Sequence, residues 1–346
     1  MTSIEFDLSV LMPCYNAENS VRESILSAIA SCRLSNLTFE ILVVNDGSSD
    51  ASRYVLDSLA MEHPEVIVEH LANNGGIVQA LNYGLGKARG RYIFRLDADD
   101  TMYPQRVATQ AKFLDSHPAC GVVGSAVDIH VENDVLTLAY PVADADIRFF
   151  LLTANCMAHP AVTYRRNLIQ SVGGYLPQEF PCEDYGLWLR LLPATEFHNI
   201  SEPLTKLRIT PGSISDRHSS RQAELSAELV EKYLAGQHPN ATSLHEVASL
   251  LCGRSSSAVS PIALMSLKAL HDRDKPGNCQ RLASWLVVDS IRLVITRQKF
   301  RRLPFSLLTM VRPHFVIRIF RASKNRRKLR MRMEQEAINR IGRVAA

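Results

Sequence analysis

The sequence predicts an α/β fold: a mostly parallel central sheet flanked by helices, with a helical region toward the C-terminus. Three observations predict it. Up to Asp100, short apolar runs alternate with segments of helical apolar spacing, the order that builds parallel β-α-β units. Most of those runs close in a polar loop, and from Arg221 onward the apolar spacing is helical.

Taken in order, Leu8–Met12 is an apolar run ended by Pro13 and is predicted as a buried strand. Asn19–Ser31 places Val21, Ile25, Ala28 and Ile29 on one helical face. Glu40–Val44 is a second strand, closed by the turn NDGSSD, and Ser52–Met61 a second helix. Val66–Leu71 is a third strand ahead of the loop ANNGG, and Ile77–Ala88 a third helix. Tyr92–Leu96 is a fourth strand that runs into DADD. Beyond it the pattern predicts a helix over Pro104–Ser116, a strand over Gly121–Val131 and a strand over Ala161–Tyr164. A helix over Arg166–Val172 stops at Gly173-Gly174. Glu183–Leu192 is predicted as a helix with two acids in its first turn, where the helix dipole favours negative charge. The turn-rich stretch RITPGSISDRHSS sets a domain boundary near residues 211–220.

Composition narrows the function. At 346 residues with 46% hydrophobic and 21% charged positions, the chain is an ordinary globular one with room for two domains. The net charge of +4 excludes a strongly basic body but hides an asymmetry. Residues 291–346 hold 16 Lys and Arg against Glu334 and Glu336, a net of +14, and the rest stands at −10. Glu5 and Asp7, with no basic residue before the first apolar run, argue against a secretory signal. The seven cysteines form no CxxC pair, so they are expected as reduced, buried hydrophobes. No stretch has the roughly 18 uncharged apolar residues of a membrane span.

In an open α/β sheet, ligands bind outside the carboxyl ends of the strands. Those ends carry Tyr15-Asn16-Ala17-Glu18, Asn45-Asp46-Gly47-Ser48 and Asp97-Ala98-Asp99-Asp100. Carboxylates gathered on one edge repel unless a cation joins them. Asp-x-Asp at a strand end therefore points to magnesium or manganese shared with substrate phosphates. The alternatives are a solvated turn capping the next helix for Asp97–Asp100, and an Asx turn for Asp46.

Five stretches, SVLMPCYNAENSVRESILSAIAS, FEILVVNDGSSD, NNGGIVQALNYGLGKARGRYIFRLDADD, HPAVTYRRNLIQSVGGY and EDYGLWLRLL, stand in an order that resembles the family 2 nucleotide-sugar glycosyltransferases. With Arg106 and Gln110, FRLDADD is similar to bacterial members that build surface polysaccharides. The resemblance implies the glycosyltransferase A fold, with a catalytic domain over residues 1–215 and a helical region over 216–346. It implies Pro13, Tyr15 and Asn16 along the nucleotide, and Asp46 at the base, expected to be uracil. Asp97 would meet the ribose or assist the metal, and Asp99 would bind the metal. Glu183 and Asp184 match the family's acidic pair, with Asp184 as general base, and His159 would lie on the acceptor side. The implied activity is an inverting, metal-dependent transfer of a sugar from a nucleotide diphosphate to a glycan or lipid-linked acceptor, a hexosyltransferase-like reaction. Two positions depart from the pattern. Asn45 stands where many members have an aspartate, and no histidine follows Arg208 at the usual spacing.

Arg165 and Arg166 are either surface charges or contacts for an anionic acceptor, and Trp188 is expected in the core. From Ser290 to Arg332 apolar and basic residues interleave, a pattern suited to the headgroup plane of an anionic membrane. A cytoplasmic, peripheral location on the inner membrane face follows as an expectation. The alternative is an apolar face packed on the catalytic domain; nucleic acid is not expected, because no binding motif accompanies the charge. A nucleotidyltransferase is disfavoured, because PCYNAEN lacks the Gly-rich basic phosphate loop. A non-catalytic nucleotide-sugar-binding or membrane scaffold is the remaining alternative, and the intact Asp46, Asp97, Asp99 and Asp184 argue against it.

Overall fold

The computed structural model describes residues 6–131, 134–208 and 217–237, together with His245, Ala248 and Cys252. Among them, nine strands form one sheet in the order β3-β2-β1-β4-β8-β6-β9-β5, with β7 paired to β6. The first half is β1 (Phe6–Cys14), β2 (Phe39–Asn45), β3 (Val66–His70) and β4 (Gly90–Arg95), all parallel. The second half is mixed: β5 (Thr101–Met102), β6 (Cys120–Val131), β7 (Asp134–Leu138), β8 (Thr163–Arg165) and β9 (Glu196–Leu207). There β4–β8, β6–β7, β6–β8 and β5–β9 are antiparallel and β6–β9 is parallel.

β1 and β2 are buried on both faces, which is why they stand in the sequence as unbroken apolar runs. Helix α1 (Val21–Arg33) buries Val21, Ile25, Ala28, Ile29 and Cys32 in one cluster with Val10, Met12, Ile41 and Val43. Each such aliphatic side chain contributes about 1.5–3 kcal/mol of transfer free energy. Helix α2 is Ser52–Glu62, and α3 (Ile77–Lys87) brings Gly84 so close to Leu11 that an added Cβ would lie 2.2 Å from Leu11 Cδ1. Glu40, inside β2, is buried with its charge satisfied. It accepts from the Arg89 main-chain N–H (2.7 Å), Arg89 Nε (2.9 Å) and Ser9 Oγ (2.6 Å), which fixes the start of β4 against β1.

Helices α4 (Arg106–Ser116), α5 (Asp144–Leu151), α6 (Arg166–Ser171) and α7 (Glu183–Leu191) complete the α/β unit, and α8 is Ser219–Gln237. Helix α8 lies on the segment ahead of α7: Gln222 Nε2 donates to Pro181 O (2.9 Å), and the His218 ring meets Phe180 edge-on. No helix among the described residues is long and apolar enough to cross a membrane. The basic region 291–346 lies outside the described residues.

β5, β7, α5 and most of β9 have no counterpart in the apolar pattern. β9 pairs with β6 through register shifts and carries exposed Ser201 and Glu202 before Pro203, which breaks the two-residue alternation. Among the described residues no disulfide forms, and five of the six cysteines described are buried, as expected.

Candidate active site

The order β3-β2-β1-β4 reverses direction at β1, so the carboxyl ends of β1, β2 and β4 open on one crevice. The loop after β1 and the loop after β2 are stitched together there. Asn16 donates its main-chain N–H to Ser48 Oγ (2.9 Å), and its Oδ1 accepts from Ser49 N–H (2.9 Å). Ala17 N–H reaches Ser52 Oγ (2.8 Å), and Glu18 Oε2 accepts from Ala51 N–H (2.7 Å). Asn16 has φ 51°, a left-handed conformation that asparagine tolerates better than most residues. Tyr15 is 49% exposed on this edge, whereas Pro13 is buried within β1 beside Val44.

Asp46 is buried, and both its oxygens are engaged. Oδ1 accepts from Gly75 N–H (2.9 Å) and Oδ2 from Gly76 N–H (2.8 Å), so the carboxylate clamps the turn that opens α3. A contact to a nucleobase would use the remaining lone pairs.

After β4 the chain turns sharply, with Asp100 N–H donating to Asp97 O (3.2 Å). Carboxylate oxygens of Asp97, Asp99 and Asp100 lie within 4.8 Å of one another. Asp100 is buried and accepts from Arg208 N–H (2.8 Å) at the end of β9. Burial, then the charges of Asp97 and Asp99, push its carboxyl well above the usual carboxylate range. Three hard oxygen donors gathered this closely are a set that fits a divalent cation.

Arg95, the last residue of β4, is the group that sequence reasoning missed. It is 1% exposed and its Nη2 pairs with Asp97 Oδ1 at 2.6 Å. Its Nε and Nη1 are buried without a hydrogen-bond partner. Its positive charge draws down the carboxyls of Asp100, Glu183 and Asp184 alike, so the metal-side and base-side acids share one buried cation.

Glu183 and Asp184 open α7, at the positive end of its dipole. Burial, and then the neighbouring Asp184, push Glu183 up to about 7, and its Oε2 is buried without a partner. Asp184 keeps partial exposure; Asn155 Nδ2 donates to its Oδ2 (2.7 Å) and Tyr185 N–H to its Oδ1 (2.7 Å). Burial raises the Asp184 carboxyl, and those two bonds and Arg95 hold it back in part. Asn155 gave no sequence signal: it lies in an irregular segment between α5 and the His159–Ala161 turn.

His159 is buried behind this edge. Its Nε2 is 2.8 Å from Tyr175 Oη, which is 3.2 Å from Tyr164 Oη, and its ring meets Trp188 edge-on. Burial and then Arg95 lower its pKa well below the ordinary imidazole value, so the ring is neutral. Trp188 is in the core, as expected. Arg165, half-buried, donates from Nη2 to Leu114 O (2.7 Å), and Arg166, buried and donating to Ala88 O at the end of α3, is not a surface charge.

Arg106 and Gln110 brace the whole edge. Arg106 is fully buried and donates to Arg95 O (2.8 Å), Pro160 O (2.8 Å), Thr205 Oγ1 (3.0 Å) and Gln110 Oε1 (3.0 Å). Gln110 Nε2 donates to Ala161 O (2.9 Å), and its Oε1 also accepts from Thr163 Oγ1 (2.8 Å).

Comparison with known proteins agrees with this layout. A family model described as glycosyl transferase family 2 matches residues 9–172. The amylovoran biosynthesis glycosyltransferase AmsE of Erwinia amylovora is 30% identical over 233 residues, covering 66% of this chain and 85% of that protein. The structure of S. aureus TarS 1–349 in complex with UDP-GlcNAc superposes with a TM-score of 0.56 at 16% identity, over 92% of this chain and 88% of that one. The mannosyltransferase PcManGT from Pyrobaculum calidifontis, in complex with GDP-Man and Mn2+, superposes with a TM-score of 0.50 at 16% identity, over 86% of this chain and 84% of that one. The fold is the glycosyltransferase A fold. With the matched segment spanning the crevice from β1 to α6, and AmsE aligned over most of its length, this chain is an enzyme that belongs to glycosyltransferase family 2.

Proposed function

We propose that the protein transfers a sugar, with inversion, from a nucleotide diphosphate donor, UDP being the expected nucleotide, to a glycan or lipid-linked glycan in cell-surface polysaccharide synthesis. What supports this reading is that the Asp97-Asp99-Asp100 triad and the Glu183-Asp184 pair both feel the charge of one buried cation, Arg95. The biosynthetic role of AmsE and the UDP-GlcNAc and GDP-Man complexes of the solved relatives support the donor class.

In this reading the end of β1 at Pro13, the loop of Tyr15 and Asn16 and the clamp at Asp46 receive the nucleotide. Asp99, with Asp97 and Asp100, holds manganese or magnesium, which when bound offsets the charge of the departing diphosphate. Asp184 takes the proton of the acceptor hydroxyl as that oxygen bonds to the anomeric carbon and the carbon–phosphate-oxygen bond breaks on the opposite face. A raised carboxyl is a stronger base than free aspartate, and Asn155 and the Tyr185 N–H fix the direction in which it accepts. With one base and no second carboxylate acting as nucleophile, the anomeric centre inverts. Residues 1–215 form the catalytic domain, and the basic stretch of residues 291–346, net +14, attaches to an anionic membrane face.

Asp184→Asn tests the assignment: donor affinity stays near wild type and transfer falls by about a hundredfold or more. Near-normal transfer by this variant would remove Asp184 as the base. A scaffold without activity would show no metal-dependent donor hydrolysis even in the wild-type protein.

A further inference from the structure

His70 ends β3, outside every group assigned above, yet it is wired to the donor edge. Its Nδ1 lies 2.9 Å from Asn45 Nδ2, and its Nε2 lies 2.9 Å from Asp57 Oδ1 on α2. Asn45 Oδ1 in turn accepts from the main-chain N–H of Ser48 (3.1 Å) and from Ser48 Oγ (2.6 Å). Ser48 Oγ accepts the N–H of Asn16 (2.9 Å).

The main-chain N–H of Ser48 fixes every proton in this chain, because it can only donate. The atom of Asn45 that faces it must be the oxygen, so the amide NH2 faces His70. An NH2 group can only donate, so His70 Nδ1 must be the bare, accepting nitrogen, and the ring proton sits on Nε2 and is given to Asp57. All the bonds then run one way: Asn16 N–H to Ser48, Ser48 to Asn45, Asn45 to His70, His70 to the Asp57 carboxylate. Bonds aligned in this way polarise one another toward the terminal charge. The chain links α2 and β3 to the loops after β1 and β2.

We propose that His70 is a positioning residue for donor binding: as the neutral Nε2–H tautomer it locks Asn45, and through Ser48 it fixes the Asn16 loop in the shape that receives the nucleotide diphosphate. The step from loop to donor rests on the proposed function; the tautomer does not. Loss of the accepting nitrogen leaves the Asn45 NH2 unpaired in a site where Asn45 is 3% exposed, and frees the amide to turn over. That removes the oxygen on which Ser48 depends.

The test uses the full-length chain. Long-range proton–nitrogen NMR at about pH 8, where unperturbed imidazoles are neutral, reads each ring's tautomer; the signal absent from His70→Asn is that of His70. The expected pattern is a bare Nδ1 and a protonated Nε2, and an Nδ1–H tautomer would overturn the assignment. UDP titration with manganese then compares wild type, His70→Leu and His70→Asn. Leucine removes the acceptor and raises Kd and donor KM by about tenfold, with kcat at saturating donor within about twofold of wild type, as expected for lost preorganisation. Asparagine places an oxygen near the Nδ1 position and recovers most of that affinity. A folded His70→Leu protein that binds UDP as tightly as wild type would overturn the proposal, as would a fall in kcat at constant KM. If the leucine variant does not fold, His70→Asn decides alone: an affinity loss as large as about tenfold there would refute the acceptor role. Absence of UDP binding in wild type would refute the donor reading and the link to affinity, and the tautomer measurement would still stand or fall by itself.

Discussion

Replacing Arg95 by methionine tests how one buried cation serves both halves of the site. The guanidinium is 1% exposed and paired at 2.6 Å with Asp97, which keeps 32% of its side chain in solvent. Removing one partner of a buried pair costs about 3–5 kcal/mol, and the solvent left to Asp97 relieves part of it, so a loss of about 2–3 kcal/mol is expected. The second effect is electrostatic. Arg95 lowers the carboxyls of Asp100, Glu183 and Asp184, so without it all three rise. A base that protonates at higher pH moves the acid limb of the pH–rate profile upward, by about half a pH unit or more if the lost interaction is worth about 0.7 kcal/mol. Urea denaturation reads the first effect, and kcat/KM against pH reads the second. A stability loss with an unmoved acid limb would show that Arg95 only packs and ties Asp97, and would refute its coupling to the base.

Further outcomes follow from the same contacts. Glu183 stands at about 7 against an ordinary 4.5, so the folded chain holds a proton there that the unfolded chain releases. Stability of the metal-free protein therefore falls as pH rises from 4.5 to 7, by on the order of 3 kcal/mol at most. Urea denaturation across that range reads the slope, which Glu183→Gln should flatten. Gln110→Leu removes the buried partners of Arg106 Nε, Ala161 O and Thr163 Oγ1 and should cost on the order of 3 kcal/mol by thermal denaturation. Gly47 has φ +65°, and an added Cβ would lie 2.6 Å from the main chain of Asn73 and Asn74. Gly47→Ala should thus cost about 2 kcal/mol or more and weaken nucleotide binding by calorimetry. Asp99→Ala should abolish any manganese dependence of donor binding, read in the same titration.

The parallel half of the fold was legible because β1, β2 and β4 are buried on both faces and stand as plain apolar runs between amphipathic helices. The second half was less so. β5 is only Thr101–Met102, and β9 mixes exposed Ser201 and Glu202 with a proline and register shifts. The acids of the site were visible as Asp-x-Asp-Asp after an apolar strand and as an acidic pair at a helix start. Their partners were not. Arg95 and Arg166 have the residue type of a solvated charge, and only the fold places them inside. Asn155 reaches Asp184 across 29 positions and His70 reaches Asn45 across 25, and no local period records either pairing. His159 begins the HPAVTYRR stretch, and its buried bond to Tyr175 sets it behind the edge.

In the proposed function the Asp97-Asp99-Asp100 edge and the Asp46 loop together bind a nucleotide diphosphate sugar. A thermal-shift screen of UDP-, GDP- and dTDP-sugars, each with manganese, magnesium or chelator, tests it most directly. At a ligand concentration about a hundredfold above Kd, the native state gains about 2.7 kcal/mol, a rise of a few degrees for a domain of this size. Such a rise is expected with a UDP-sugar and a divalent cation, and its loss with chelator. No shift with any of the UDP compounds would contradict the donor assignment, and no shift with any nucleotide would contradict the site.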